Sequence, residues 1–115
     1  MDKTTQPMRP DPDSRRLLMR QRSELVVADL SGKTTVIYDT SDLIEAPNWT
    51  LDDQWLIYNA DGRLWGISPD GKDGPHRINT SPVENLNNDH VLAPDGKSIY
   101  LSANDGHIYV APIAG

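Results

Sequence analysis

The chain has 115 residues, an apolar fraction of 37% and a formal net charge of −6. This length suits one domain with a modest core, and the negative charge argues against binding to a nucleic-acid backbone, which requires clustered Lys and Arg. The absence of cysteine excludes disulfides, thiolate metal sites and cysteine nucleophiles. The single basic cluster, which is typical of a solvated surface beside the neighbouring acids, is Arg15, Arg16, Arg20 and Arg22.

The N-terminal segment, residues 1–15, is predicted to be a disordered tail, because it is rich in proline and polar residues and has no apolar period. It lacks the apolar stretch of a secretory signal peptide, and the longest apolar runs elsewhere are too short to span a bilayer. We therefore expect a cytoplasmic protein without direct membrane insertion, or a periplasmic one if the N-terminus is truncated.

From residue 16 onward, short apolar segments alternate with turn signals, which is typical of an all-β fold. No segment combines a sustained helical period with helix caps. The Asp-Gly pairs between segments tolerate the positive φ that short hairpin turns need. The predicted strands are Arg16–Arg20, Glu24–Asp29, Thr34–Tyr38, Ala46–Trp49, Trp55–Asn59, Arg63–Ile67, Arg77–Asn79, His90–Leu92, Ser98–Leu101 and His107–Val110.

A unit built on an aspartate turn occurs twice in the chain. Thr50–Trp65 aligns with Ala93–Tyr109 at an offset of 43, which becomes 44 after the inserted Asn104. Such a period indicates a repeat architecture, and four-stranded propeller blades run to about 40–45 residues. Ser68-Pro-Asp-Gly resembles the same turn but follows a third strand, so it does not start a repeat. The sequence predicts three strands, then four, then three, in blade portions 16–42, 43–83 and 84–115.

The segment from Ala93 to Tyr109, which begins Ala-Pro-Asp-Gly-Lys and continues Ile-Tyr-Leu-Ser, resembles the WD-like repeat of the TolB β-propeller family. Residues 47–53 match it more loosely, with Leu51 in place of proline and Asp53 in place of glycine. The resemblance covers residues 16–115 and implies four-stranded antiparallel blades of a β-propeller. It implies a non-catalytic module for protein or ligand binding. The alternative is the propeller portion of a larger peptidase or hydrolase whose catalytic domain is absent here.

The number of blades predicts an incomplete ring, because propellers close with 4–8 blades and this chain holds fewer than three. The outer blade faces and strand edges would then expose apolar surface and unpaired backbone. Several copies can assemble one ring, a partner chain can supply the other blades, or the sequence can be a fragment of a longer one. We therefore expect a protein partner or self-association, and no nucleic-acid partner.

The densest polar cluster of the sequence is Asn87-Asn-Asp-His90. In the repeat alignment Asn88 matches Glu45, and both precede the innermost strand of a blade, next to the central channel. The sequence thus predicts a channel-side ligand pocket. The alternative is that the Asn and Asp side chains bond to their own backbone and cap the loop. The predicted pocket residues are Glu45, Asn88, Asp89 and His90.

No catalytic residue, metal site or cofactor is predicted. Asp89 and His90 are adjacent in a predicted strand and point to opposite faces, so they do not converge on one ion. No Gly-x-Ser-x-Gly nucleophile elbow and no EF-hand pattern is present. The aromatic residues recur at equivalent blade positions and are assigned to packing between blades; they are Trp49, Trp55, Tyr58, Trp65, Tyr100 and Tyr109.

Overall fold

The computed structural model describes residues 16–113, and these form β-strands joined by turns, with no helix. The predicted tail, residues 1–15, lies outside the described residues. Nothing within 16–113 could cross a bilayer as an apolar helix. The strands are β1 Ser23–Ala28, β2 Thr34–Thr40, β3 Glu45–Trp49, β4 Leu56–Ala60, β5 Arg63–Ile67, β6 His76–Ile78, β7 Leu86–Leu92, β8 Ser98–Ala103 and β9 Ile108–Pro112.

The strands form three antiparallel sheets, and each strand pairs with its neighbours in the sequence. Sheet 1 contains β1 and β2, sheet 2 contains β3 to β6, and sheet 3 contains β7 to β9. The two-residue turn Asp61-Gly62 connects β4 to β5, and both of its residues have positive φ, as a tight hairpin requires. The all-β, antiparallel prediction is confirmed. The Ser68 turn follows β5, the third strand of sheet 2, as predicted.

Sheet 2 is packed on both faces, because successive side chains of a strand point to opposite sides. All five residues of its strand β4 are buried. One face packs against sheet 1 around the buried residues Leu25, Leu56, Tyr58, Ala60 and Ile67. The other face packs against sheet 3 around Ile57, Leu64, Leu86, Ile99, Leu101, Ala103 and Ala111. The three sheets therefore form a stack in chain order.

The predicted strand Arg16–Arg20 is wrong, and sheet 1 has two strands among the described residues. The backbone turns here: Gln21 N donates to the Leu18 carbonyl at 3.0 Å, and Leu18 N donates to the Gln21 side chain at 2.8 Å. Arg20 has a φ of 73°, which extended backbone cannot adopt. Leu18 and Met19, which suggested a strand, are 73% and 90% exposed.

The predicted start of the last innermost strand is also wrong, because β7 begins at Leu86 instead of His90. The polar run Asn87–Asp89 therefore lies within a strand. The pairing of β7 with β8 shifts between Leu86 and His90, and β3 shows a similar shift between Glu45 and Asn48, where Ala46 has a φ of 53°. Such β-bulges bend a strand and redirect its side chains. Both innermost strands thus carry a bulge at the predicted pocket.

The aromatic residues divide into two groups. Tyr58 is buried and stacks on Tyr38 of sheet 1, with ring centroids 6.4 Å apart, and Trp65 packs in the same cluster. Tyr109 packs against the core between sheets 2 and 3. For these residues the predicted packing is confirmed. For the other three residues it stays a prediction, because each is more than 40% exposed among the described sheets; they are Trp49, Trp55 and Tyr100.

Candidate functional site

A histidine links the two innermost strands. His90 lies on β7, is 3% exposed and faces sheet 2. Its Nδ1 is 2.5 Å from Oδ1 of Asn59 on β4, and its Nε2 is 3.1 Å from Nδ2 of Asn48 on β3. Both nitrogens of the buried ring are therefore hydrogen-bonded to side chains of sheet 2.

The hydrogen bonds determine which ring nitrogen carries the proton. Asn59 Nδ2 donates to the Asn87 carbonyl at 2.9 Å, so the Asn59 amide oxygen faces His90 and accepts from Nδ1–H. His90 Nε2 is then the acceptor for the Asn48 amide. A second proton on the ring would place two donors against each other at Asn48. In agreement, burial lowers the pKa of His90, although the nearby Asp89 carboxylate acts in the opposite direction.

The hydrogen bonds continue from sheet 2 into sheet 3. Asn87 Nδ2 donates to Ser102 Oγ at 2.8 Å, while the buried Oδ1 of Asn87 accepts no hydrogen bond from residues 16–113. Asn59 and Ser102 occupy equivalent positions of the repeat. We refer to this set as the inter-sheet network; it consists of Asn48, Asn59, Asn87, His90 and Ser102.

The structure separates the four residues of the predicted pocket. His90 lies inside the inter-sheet network, whereas Asp89 is exposed and its carboxylate accepts from the His90 backbone N–H at 2.8 Å. Glu45 is partly buried and pairs across the sheet with Asn59, the residue that binds His90. Asn88 is partly buried next to Asp89. Glu45 and His90 thus lie on the two innermost strands, β3 and β7, and the Asp89 side chain is outside the network.

Three network residues were missed by the sequence analysis, Asn48, Asn59 and Ser102. Asn59 did give a signal, because it is a polar residue within the apolar strand Leu56–Ala60. A buried polar side chain in such a strand needs a partner. Asn48 carries no comparable signal, because it is an exposed residue that follows Pro47 and not a polar residue within an apolar strand.

The network consists of neutral groups and is suited to hydrogen bonding. The described part of the chain contains no cluster of three or more His, Asp or Glu residues that could hold a metal ion. Two carboxylates lie on the same strands as network residues, Glu45 on β3 and Asp89 on β7. The hydrogen bonds of the network are suited to holding β3 and β7 in a fixed position relative to each other.

A concave surface lies between sheets 2 and 3, near the turns that join β3 to β4 and β7 to β8. We call it the outer cleft; its volume is about 970 Å³. Its walls are mostly apolar, and an aspartate from each turn stands at its margin. The main lining residues are Leu51, Trp55, Ile57, Ile78, Pro112 and Ile113, with Asp52 and Asp95 at the margin.

We expect the free energy of unfolding to fall as the pH drops below about 6.5 because of His90. Histidine in an unfolded chain has a pKa of about 6.5, so below this pH the unfolded state binds a proton that the folded state rejects. The loss is up to about 1.4 kcal/mol per pH unit until the folded pKa is reached. Urea denaturation of the wild type and of His90→Gln, which retains one donor and one acceptor, should show a shallower dependence in the variant.

The effect of His90 on stability can be distinguished from that of the turn aspartates, because the two act in different pH ranges. Hydrogen bonds from Thr50 Oγ1 and the Gln54 backbone hold the pKa of Asp52 below its usual 3.8, and Asp29, Asp70 and Asp105 are lowered in the same way. Their contribution is present above 3.8 and is lost only in more acidic solution. Equal pH dependence in wild type and variant would contradict the neutral-ring geometry.

Three antiparallel sheets stacked face to face, with the innermost strands of sheets 2 and 3 linked by hydrogen bonds, are the arrangement of a β-propeller. The chain is similar to a solved structure from Agrobacterium tumefaciens described as "putative TolB", with a TM-score of 0.66 and 36% sequence identity. That match covers 72% of this chain and 31% of the solved one. The comparison supports the predicted TolB-like β-propeller fold.

A curated relative, Uncharacterized protein Atu1656 of Agrobacterium fabrum (strain C58), is 34% identical over 99 residues. The match covers 82% of this chain and 34% of that protein. No family model matches the chain. The chain therefore spans about a third of the length of both proteins that it resembles.

Proposed function

We propose that the chain is a non-catalytic TolB-like β-propeller module for protein or ligand binding, and that further blades cover the outer faces of its stack. The observation that carries this proposal is a difference in burial between equivalent residues of the repeat. Leu64 of sheet 2 is 0% exposed because sheet 3 covers it, whereas its equivalent in sheet 3, Ile108, is 67% exposed. Ile57 and its equivalent Tyr100 are 1% and 45% exposed.

The exposed residues of sheet 3 form one continuous apolar surface. Val91 pairs with Tyr100, and Tyr100 pairs with Val110, so the three side chains lie in a row across β7, β8 and β9. Ile108 lies two residues from Val110 on the same face of β9. We call this surface the open face. An apolar face of this kind typically marks an interaction surface.

The other end of the stack supports the same proposal. In sheet 1, Val26 pairs with Val36, and these side chains are 41% and 50% exposed on the side that faces away from sheet 2. Leu25, the preceding residue, is buried against sheet 2. Since both ends of the stack present apolar side chains, we propose that blades from other copies or a partner chain, or from a longer form of this chain, complete the ring.

We also propose a ligand site at the innermost strands, within the predicted pocket. His90 is fully engaged in the inter-sheet network, so it orients the site. Contact with a ligand then falls to Glu45, Asn88 and Asp89, which lie on β3 and β7 beside the network. Acidic and amide side chains favour ligands with hydrogen-bond donors or positive charge.

Self-association through the open face tests the proposal. We expect the wild type to form oligomers or larger aggregates in light scattering, and Val91→Lys combined with Tyr100→Glu to increase the monomer fraction. This pair leaves the net charge unchanged and places opposite charges on paired residues, which limits any cost to the sheet.

The control is Thr34→Lys combined with Thr35→Glu on exposed positions of β2, which should leave the association unchanged. A wild type that stays monomeric and folded at high concentration would count against the proposal. Association that persists unchanged in the open-face variant would do the same.

A further inference from the structure

A small cavity of about 80 Å³ lies between sheets 1 and 2, beside the turn that joins β4 to β5. Three aromatic side chains line it, those of Tyr38 on β2, Tyr58 on β4 and Trp65 on β5. The carboxylates of Asp42 and Asp61 line it as well. Every lining residue lies between β2 and the loop before β6, in the middle of the chain. We call this space the aromatic cavity.

The three rings of the aromatic cavity are held in position by the two sheets. Tyr58 and Trp65 are paired residues of β4 and β5, so their side chains lie next to each other on one face of sheet 2. Tyr38 of sheet 1 stacks on Tyr58, with ring centroids 6.4 Å apart. The indole Nε1–H of Trp65 donates to the Ala60 carbonyl at 3.1 Å, which fixes the orientation of this ring. The aromatic walls are therefore formed in advance of any ligand.

The two carboxylates give the aromatic cavity a negative charge. Asp42 and Asp61 are exposed, so the cavity meets solvent on their side. Asp61 Oδ2 lies 3.9 Å from Nη1 of Arg63, whereas no cationic side chain among residues 16–113 lies within ion-pair distance of Asp42. Burial raises the pKa of Tyr58, and Tyr38 and the Asp42 carboxylate raise it further, in agreement with negative charge beside this phenol.

Aromatic walls and an unpaired carboxylate together favour a cation. The face of an aromatic ring attracts a cation that lies within about 6 Å of the ring centroid, and a nearby carboxylate adds to this attraction. A single water molecule needs only about 10–15 Å³ of such space. The aromatic cavity, at about 80 Å³, has room for a group several times larger. A quaternary ammonium group combines a positive charge with methyl groups that fill this volume.

We propose that the aromatic cavity binds a quaternary ammonium group. The methyl groups lie against the three rings, and the Asp42 carboxylate stands at the opening and attracts the charge. No residue of the inter-sheet network or of the open face lines this cavity. The site therefore goes beyond the proposed function, and the two are tested separately.

The test compares choline with its neutral carbon analogue, in which a tert-butyl group replaces the trimethylammonium group. In an NMR titration of the full chain, choline should shift the indole N–H signal of Trp65 in a saturable way. It should also bind at least about fivefold more tightly than the neutral analogue. Equal or tighter binding of the neutral analogue would overturn the inference, because the cavity would then recognise shape alone. A saturable shift with sodium chloride would overturn it too.

Substitution at Asp42 tests the contribution of the carboxylate. Asp42→Asn should weaken choline binding about two- to fivefold and leave binding of the neutral analogue unchanged. The matched control is Asp73→Asn, which removes the same charge from an exposed position in the loop between β5 and β6, away from the lining of the cavity. This control should bind choline as the wild type does. An effect of Asp42→Asn no larger than that of the control would contradict the proposed site.

Substitution at Tyr38 tests the contribution of the rings. Tyr38→Leu should reduce the preference for choline over the neutral analogue about two- to fivefold, because one of the three rings is lost. An unchanged preference in a folded variant would contradict the role of the rings. The comparison of the two ligands on the wild type does not depend on the folding of this variant.

The quaternary ammonium group can belong to a free small molecule or to a trimethylated lysine of another protein. Acetylated trimethyllysine amide in the same titration distinguishes these sources, since tighter binding than that of choline indicates a protein side chain and weaker binding indicates a small molecule. Acetylated lysine amide has a compact, strongly hydrated ammonium group and should bind at least about fivefold more weakly than the trimethylated form. Tighter binding of the unmethylated form would overturn the assignment.

Discussion

Replacing Leu64 with alanine is expected to lower the free energy of unfolding by about 2–5 kcal/mol, whereas the same truncation of Ile108 should change it by less than about 0.5 kcal/mol. Leu64 is 0% exposed in the core between sheets 2 and 3, so its loss leaves a cavity. Ile108 occupies the equivalent place in sheet 3, where no described sheet covers it. Urea denaturation of both variants at low protein concentration measures the difference.

Because the two positions share the same place in the repeat, each serves as the control for the other. A large loss at Ile108 would mean that its face is covered in solution. Repeating the measurement at rising protein concentration then distinguishes self-association, since the cost of Ile108→Ala should increase with concentration. Equal costs at every concentration would contradict the exposed-face geometry.

Replacing Asn59 with leucine is expected to destabilise the fold by about 1–3 kcal/mol for each of the two partners that it leaves unpaired. The first partner is Nδ1–H of His90, and the second is the carbonyl oxygen of Asn87. Leucine is similar in size to asparagine, so the packing changes less than the hydrogen bonding. Urea denaturation gives the loss, and NMR of the His90 ring reports the proton position.

The control for Asn59→Leu is the same change at Asn104, which lies in an exposed turn between β8 and β9. This variant should alter the free energy of unfolding by less than about 0.5 kcal/mol. The inter-sheet network would lose its assigned role if Asn59→Leu were as stable as Asn104→Leu. An unchanged tautomer of His90 in Asn59→Leu would also contradict the assignment.

The turns and the alternation of apolar residues were sufficient to predict most of the strands. Arg63–Ile67 coincides with β5, because it lies between a positive-φ Asp-Gly turn and a proline. The prediction failed at Arg16–Arg20, where apolar residues suggested a strand but the backbone turns at Arg20. A strand needs a neighbour for its backbone, and local sequence does not contain that information.

The candidate site could be predicted only in part. His90 was identified because it ends a conspicuous polar run, although that run was expected to lie before the strand. Its partners Asn48 and Asn59 are 42 and 31 residues away in the chain, and they meet the ring only because sheets 2 and 3 stack. The outer cleft is a space between sheets 2 and 3 that no described loop or strand fills. No residue pattern in the sequence predicts such a space.

The stack of sheets has two unlike ends, a small valine pair on sheet 1 and a broad aromatic and aliphatic row on sheet 3. Units with unlike ends join head to tail, so the assembly has a polarity and each addition leaves a new end exposed. Such growth stops only if the rotation between successive sheets brings the last end back to the first. The angle between neighbouring sheets therefore decides between a closed particle and an open filament.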